Sequence, residues 1–426
     1  MRRFGQGLAF VRIIPGHRYA LLFPLLGALL LLSCRDSSGA RQTVPLPASY
    51  RQMLDEVAEV RGLTPPGSLR IGTVRREELG ELLASRALPT ETSSPRDDIY
   101  RLLGLLPPGT SYEAAWRAAL ESSAGAVYIP GQREVWLIRD GVLPESPESL
   151  APWERRLLAH EFVHALQDYH FDISRLERIA ETLDARLALR ALLEGDAVWS
   201  ESQWTARHLL PSLTGTAELE PPPAGSSVPP ALARESAFAY GAGSEWVALL
   251  RDGNASAIDE VLRAEGPWFT SLVLHPQLVQ TGWSHTEPAF PREAPGGWSI
   301  ITADSPGEFV LSNWLQSGIP ALRASQAAAG WLGDRAVLYQ TAADRRALAV
   351  RIEFRDAKEA GEFAAAHREL LASKSPAVDQ EPGLVLAVRR DGVAEIQLEP
   401  QSTTVTIVAA DDLGDARELA AFLRNR

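Results

Sequence analysis

The chain has 426 residues, 45% of them hydrophobic, with 54 acidic against 42 basic side chains and a formal charge of −12 at neutral pH. That is chain enough for two or three domains, and its acidic balance argues against nucleic acid as a partner. A single cysteine, Cys34, leaves no internal disulfide and no thiolate metal site within the body of the protein.

The first 33 residues read as an export signal. Arg2, Arg3, Arg12 and Arg18 precede an apolar run over 21–32, and Leu31-Leu32-Ser33-Cys34 closes it, which is a basic lead, a short apolar core and a small residue before the cut. The tetrapeptide resembles the lipobox of bacterial lipoproteins, which implies cleavage before Cys34 and lipidation of its thiol. An uncleaved anchor is the alternative, although the run is short for a spanning helix. Either way the remainder is expected outside the cytoplasm, with the membrane as partner through its N-terminal lipid or anchor. Cleavage would remove four arginines and no acids, leaving 38 basic and 54 acidic residues and a charge of −16.

Residues 34–47 are polar and turn-rich and read as a tether. Segments 50–60, 76–85, 99–106 and 112–122 read as helices, punctuated by Pro65-Pro66-Gly67 and Pro107-Pro108-Gly109. Runs 124–129 and 134–138 are β-rich and flank Pro130-Gly131, the pattern of a hairpin. That hairpin is either plain structure or an open edge against which an extended peptide pairs.

The organising motif follows. Residues 153–171, WERRLLAHEFVHALQDYHF, contain His160-Glu161-x-x-His164 on a strongly helical run. Histidines at i and i+4 stand one turn apart on one face, so their imidazoles can converge on one metal ion. Glu161 is turned about 100° from His160, near enough to act on a metal-bound water without being a ligand. That division of labour is the one a hydrolytic Zn²⁺ site needs, with an open position for water and a carboxylate to take its proton.

Two histidines leave such a site one protein ligand short. His170 gives H-E-x-x-H-x-x-Q-x-x-H, but that longer spacing needs a left-handed turn where Gln167 stands, and no methionine lies downstream of Met53. His170 is therefore expected at the helix end or behind the ligands. Glu194, in a second helical run over 184–204 with Arg186 and Arg190 on one face, is the preferred third ligand, and Glu201 is a weaker alternative. Gly195 would let that helix lie close to the metal helix, and Asp196 would orient a histidine or an arginine.

The segments AGAVYIP (124–130), HEFVHALQDYHFD (160–172) and ALLEGDA (191–197) together resemble a family of bacterial zinc metallopeptidases, mostly lipoproteins or secreted proteins of unassigned substrate. Leu274-His275-Pro276 and GWLGDR (330–335) extend the likeness over most of residues 50–426. The resemblance implies a zincin of the gluzincin type, its third ligand coming from a second helix. Ala126-Val127 departs from the Gly-Phe usual in that family.

Residues 218–230 read as a proline-rich loop, and 237–250 and 256–263 as helices. Tyr240, His275 and His285 are the side chains that could donate to a developing oxyanion. From residue 298 the character changes, with helices over 309–316, 319–330, 357–372 and 413–423, and strands over 336–340, 347–354, 384–389, 395–398 and 403–408. The expected class is α+β: a signal (1–33), a tether (34–47), a mostly helical zincin-like domain with a small sheet (48–297) and a smaller α+β domain (298–426). The expected function is a tethered zinc peptidase acting on peptides or proteins. A lipoprotein scaffold with a non-catalytic metal site is the alternative.

Overall fold

The structure, a computed structural model, describes residues 43–86, 94–213, 219, 228–252 and 254–424. The expected signal, Cys34 and most of the proline-rich loop lie outside the described residues. The architecture is α+β, a helical N-terminal part followed by a part built on a β-sheet.

The chain joins the fold earlier than a tether ending at residue 47 allows. β1 (Val44–Pro45) pairs antiparallel with β2 (Arg70–Val74), and Thr43 donates to Glu134 at 3.0 Å. Between them α1 (Ala48–Arg61) buries Tyr50, Met53, Leu54 and Val57. β2 was not expected and falls between the runs 50–60 and 76–85 read as helices; interrupted by Gly72 and only 5 residues long, it gives too short a pattern to read. Helices α2 (Arg76–Arg86), α3 (Pro95–Leu102) and α4 (Tyr112–Ser123) follow. α3 starts earlier than the expected 99 because Ser94 and Asp97 cap each other's backbone. The hairpin β3 (Ala126–Ile129) and β4 (Glu134–Ile138) forms as expected, and β4 pairs parallel with β2. Sheet order is β1-β2-β4-β3, which puts β3 at an edge.

α5 (Pro152–Phe171) carries the H-E-x-x-H motif and packs on α1, β3 and α7 (Leu183–Trp204). It runs through Gln167 without a break, and the left-handed residue comes later, at Asp172 (φ 53°), whose side chain then caps α6 (Ile173–Ile179). After α7 come α8 (Pro230–Ala237), a π-turn over Phe238–Ala242, α9 (Gly243–Arg251), α10 (Ala257–Arg263) and α11 (Thr270–Leu274). The single helix expected over 237–250 is thus interrupted by the π-turn that contains Tyr240. The close approach assigned to Gly195 is real but has a different partner. A Cβ on Gly195 would overlap the backbone of Gly243, and one on Gly243 would overlap the Ala191 carbonyl, so the tight pair is α7 with α9 and not α7 with α5.

The second sheet is antiparallel throughout, in the order β5-β6-β7-β11-β10-β9-β8, from β5 (Trp298–Asp304), β6 (Trp331–Thr341), β7 (Arg346–Phe354), β8 (Val378–Glu381), β9 (Leu384–Val388), β10 (Ala394–Leu398) and β11 (Thr404–Ala410). The outer strands β5 and β8 were not expected; their residues are mostly half-buried or exposed, so they lack an apolar alternation. α14 (Ala357–Lys374) covers one face and α15 (Leu413–Arg424) the other, with α12 (Gly307–Leu315) and α13 (Ala321–Ala328) stacked beyond α14.

The two parts share a core. Leu187, Leu192 and Val247 belong to the same apolar cluster as Phe309, Leu338 and Phe363. The first turn of α7 is tied into the second part: Leu183 N–H donates to Asp304 (2.8 Å) and Asp184 N–H to the Ser305 carbonyl (3.0 Å). Backbone donors that a helix start leaves over are thereby satisfied from more than a hundred residues away.

Candidate metal centre

α5 and α7 cross so that His160 Nε2, His164 Nε2 and Glu194 Oε2 form a triangle with sides of 3.2, 3.3 and 3.4 Å. Donors about 2.0–2.2 Å from a tetrahedral Zn²⁺ lie about 3.3–3.5 Å from one another, so the triangle has the size of one tetrahedral face. All three residues are buried and together they could hold a metal ion; among the described residues no further His, Cys, Asp or Glu joins the group. The donor set, two imidazoles and a carboxylate, suits zinc and also ferrous iron.

The outer atoms settle which imidazole nitrogens face inward. Gln167 donates through Nε2 to the Leu193 carbonyl and to Asp196, both at 2.9 Å, which fixes its amide. Its Oε1 therefore faces His164 Nδ1 (2.8 Å), and that nitrogen must carry the proton. His160 Nδ1 meets Glu201 Oε2 at 3.0 Å, and Glu201 is held by Arg156 at 2.6 Å. When deprotonated, both Nε2 atoms aim a lone pair at the triangle, the arrangement metal-ligating histidines use. Behind Gln167, Asp196 pairs with Arg61, which also pairs with Asp259, both at 2.6 Å and with Arg61 2% exposed. Asp196 thus orients both a histidine, through Gln167, and an arginine.

Without an ion the donors satisfy each other. Burial works against an imidazolium at His160, but Glu194 and Glu201 outweigh it and raise its pKa to about 10. Burial would likewise raise Glu194, yet the two histidines hold it well below the ordinary carboxylate range. A proton and a cation compete for this site.

Glu161 is fully buried, and among the described residues no side chain hydrogen-bonds its carboxylate. Burial raises its pKa to about 7, with His164 and His160 opposing the rise. Tyr240, from the π-turn, stacks on His160 with ring centroids 6.0 Å apart, and its buried hydroxyl faces Glu194. Burial, and then the nearby Glu194, raise the Tyr240 pKa well above 10, so it is a neutral donor. A buried carboxylate without a side-chain partner is costly unless a ligand uses it.

Of the other sequence-derived positions, Glu201 supports His160 from behind and does not replace Glu194. His170 lies away from the triad, its Nε2 against the Thr64 carbonyl at 2.8 Å, because the helix carries residue 170 to another face. His275 pairs with Glu308 at 2.6 Å beside α12, and His285 stacks on Phe269. Gln167, Arg61 and Arg156 were not read as site residues. Gln167, three residues after His164, was within reach of a spacing argument; the Arg61–Asp196 pair joins residues 135 apart and was not.

β3 runs beside this centre, anchored to α5 by the Tyr128 hydroxyl donating to Asp168 at 2.7 Å. Its outer edge has no strand partner among the described residues. A cavity of about 310 Å³ opens between β3, α4 and α7 and is lined in part by His164 and Glu194.

Residues 299–420 match a protein family described as a domain of unknown function, DUF8575. No curated protein and no solved structure matches the chain. The match covers the second sheet and its helices, and the His160–His164–Glu194 group lies outside it. Among the described residues no helix is long and apolar enough to cross a membrane.

Proposed function

We propose that the protein is a zinc-dependent peptidase held outside the cytoplasm by lipid on Cys34. One observation carries the reading: among the described residues the donor triangle ends in a position without a protein donor, beside a buried carboxylate with no side-chain partner. A structural site would close with a fourth ligand and would have no use for Glu161. The same donor set on ferrous iron is disfavoured by that spare base, which oxygen chemistry does not require.

His160, His164 and Glu194 would hold Zn²⁺, which supplies a water of lowered pKa and polarises the scissile carbonyl. Glu161 accepts the proton as water adds to the carbonyl carbon and returns it to the amine nitrogen as the C–N bond breaks. Tyr240 donates to the carbonyl oxygen as negative charge develops there. The free edge of β3 pairs with the substrate backbone and holds it extended over the site.

The test is a pair of measurements on purified protein, metal content and cleavage of a peptide library. Glu161→Gln should retain zinc and lose turnover by about 10²–10⁴-fold. In the wild type Glu161 must be ionised to act, and burial raises its pKa to about 7 in the ion-free site. Activity should therefore fall on acidification as Glu161 takes up its proton. Near-wild-type turnover in the variant removes Glu161 as the base. The tether is tested separately by mass spectrometry of the mature N-terminus from a bacterial host, where Cys34 should carry acyl chains; an unmodified Cys34 would refute it.

A further inference from the structure

The cavity beside the triad is lined by Arg96, Arg117, Arg186 and Arg190, against Glu113 and Glu177 on the same walls. In a chain of formal charge −12 that concentration of guanidinium groups runs against the composition. Among the described residues none of the four pairs with a carboxylate. Two are held by stacking instead: Arg190 Cζ lies 4.1 Å from the Trp116 ring centroid and Arg96 Cζ 4.8 Å from that of Tyr112. Stacking engages the face of a guanidinium and leaves its in-plane N–H fork open for an anion. Arg186 uses its Nε on the Ala180 carbonyl at 2.9 Å, which leaves its two terminal nitrogens. Burial and then repulsion from Arg96 lower the Arg186 pKa, with Asp304, Glu177 and Glu181 opposing.

Their position relative to the triad is set by one helix. Arg186, Arg190 and Glu194 follow at intervals of four residues on α7, so they share a face and stand about 6 Å apart along the axis. An extended peptide advances about 3.3 Å per residue. Arg190 therefore stands within about two residues of a bond held over Glu194, and Arg186 about two residues further.

We propose that this cavity is the substrate pocket and that it selects a carboxylate within about two residues of the scissile bond, from an acidic side chain or the substrate's own C-terminus. The assignment rests on the peptidase reading; the carboxylate preference itself can be measured without turnover. Glu161→Gln protein loaded with zinc is titrated with dye-labelled random peptide pools that differ only in a fixed Glu or Gln, and with pools whose C-termini are free or amidated. At least one carboxylate-bearing pool should bind roughly tenfold tighter than its neutral twin, a difference of about 1.4 kcal/mol. Added to that background, Arg190→Gln or Arg96→Gln should erase the preference, and salt should shrink it. The two variants lie on different helices and their folding is checked by circular dichroism, so that one which fails to fold leaves the other to decide.

Equal binding of charged and neutral pools overturns the proposal, as does a preference that a folded arginine variant keeps. The two readings fail differently. A carboxylate preference in a wild-type protein that cleaves none of the pools with zinc present leaves the pocket and removes the peptidase. Cleavage without charge preference does the reverse.

Discussion

Each of the three donor side chains is held differently, and that sets what its loss should do. His160 and His164 are steered through their Nδ1 atoms by Glu201 and Gln167, whereas Glu194 meets the two histidines through its Oε2, with the Tyr240 hydroxyl nearby. Glu194→Ala should thus leave two well-oriented imidazoles and an ion short of its only anionic ligand. Zinc affinity, measured by competition with a chromogenic chelator, should drop steeply. His170→Ala should leave it within experimental scatter, because His170 faces Thr64 and not the triad. This is a smaller effect than the 10–100-fold expected of a residue that orients a ligand. If His170→Ala loses zinc and Glu194→Ala keeps it, the triad is misassigned. The two histidines were legible because i and i+4 on a helix is a local rule. Glu194 was reached through a second helix and a family likeness, and the residues behind them needed the fold.

At the scale of elements, α7 is the hub: it carries Glu194 and Glu201, faces α5 across the site and meets α9 at a glycine pair. The helical runs over 152–171 and 183–204 were readable from composition and apolar spacing. Gly195 was readable as a point of close approach but not its partner, since a glycine says only that something comes near. Its neighbour Gly243 opens α9 directly after the π-turn that presents Tyr240, so the α7–α9 contact also positions that hydroxyl. Gly195→Ala should test this with a sign that propensity alone gets wrong. Alanine in an open helix site would stabilise by about 0.8–1.0 kcal/mol. Here its Cβ meets the Gly243 backbone, which cannot swing aside as a side chain can, and overpacking of that kind costs about 1–3 kcal/mol. Denaturant unfolding should show a net loss of stability, and a gain would mean that the helices separate without cost.

Across the whole molecule, the boundary expected near residue 298 marks a change of architecture, and the core runs through it. Composition and strand alternation showed the change; they could not show that α12 packs on α7, because that contact depends on no local pattern. The consequence is specific to the site. Leu183 and Asp184 begin the helix that presents Glu194, and their N–H groups are satisfied by Asp304 and Ser305. Asp184 in turn accepts from Thr270, and Gly307 at the start of α12 is held by Asp334 at 2.8 Å. α3 is bound to the same sheet by Arg101–Asp411 at 2.6 Å and Asp98–Arg346 at 3.1 Å. Removing residues 298–426 would expose the apolar side of α7 and leave buried backbone donors at its start without acceptors, each costing about 1–3 kcal/mol. A chain ending at residue 297 is therefore expected to lose cooperative unfolding and zinc binding together, and adding 298–426 back as a separate chain should restore both if the two pieces reassemble. The reading to watch is zinc affinity beside circular dichroism. A truncated chain that melts cooperatively and binds zinc as the full protein does would show the second part to be an independent domain, with no share in holding the metal centre.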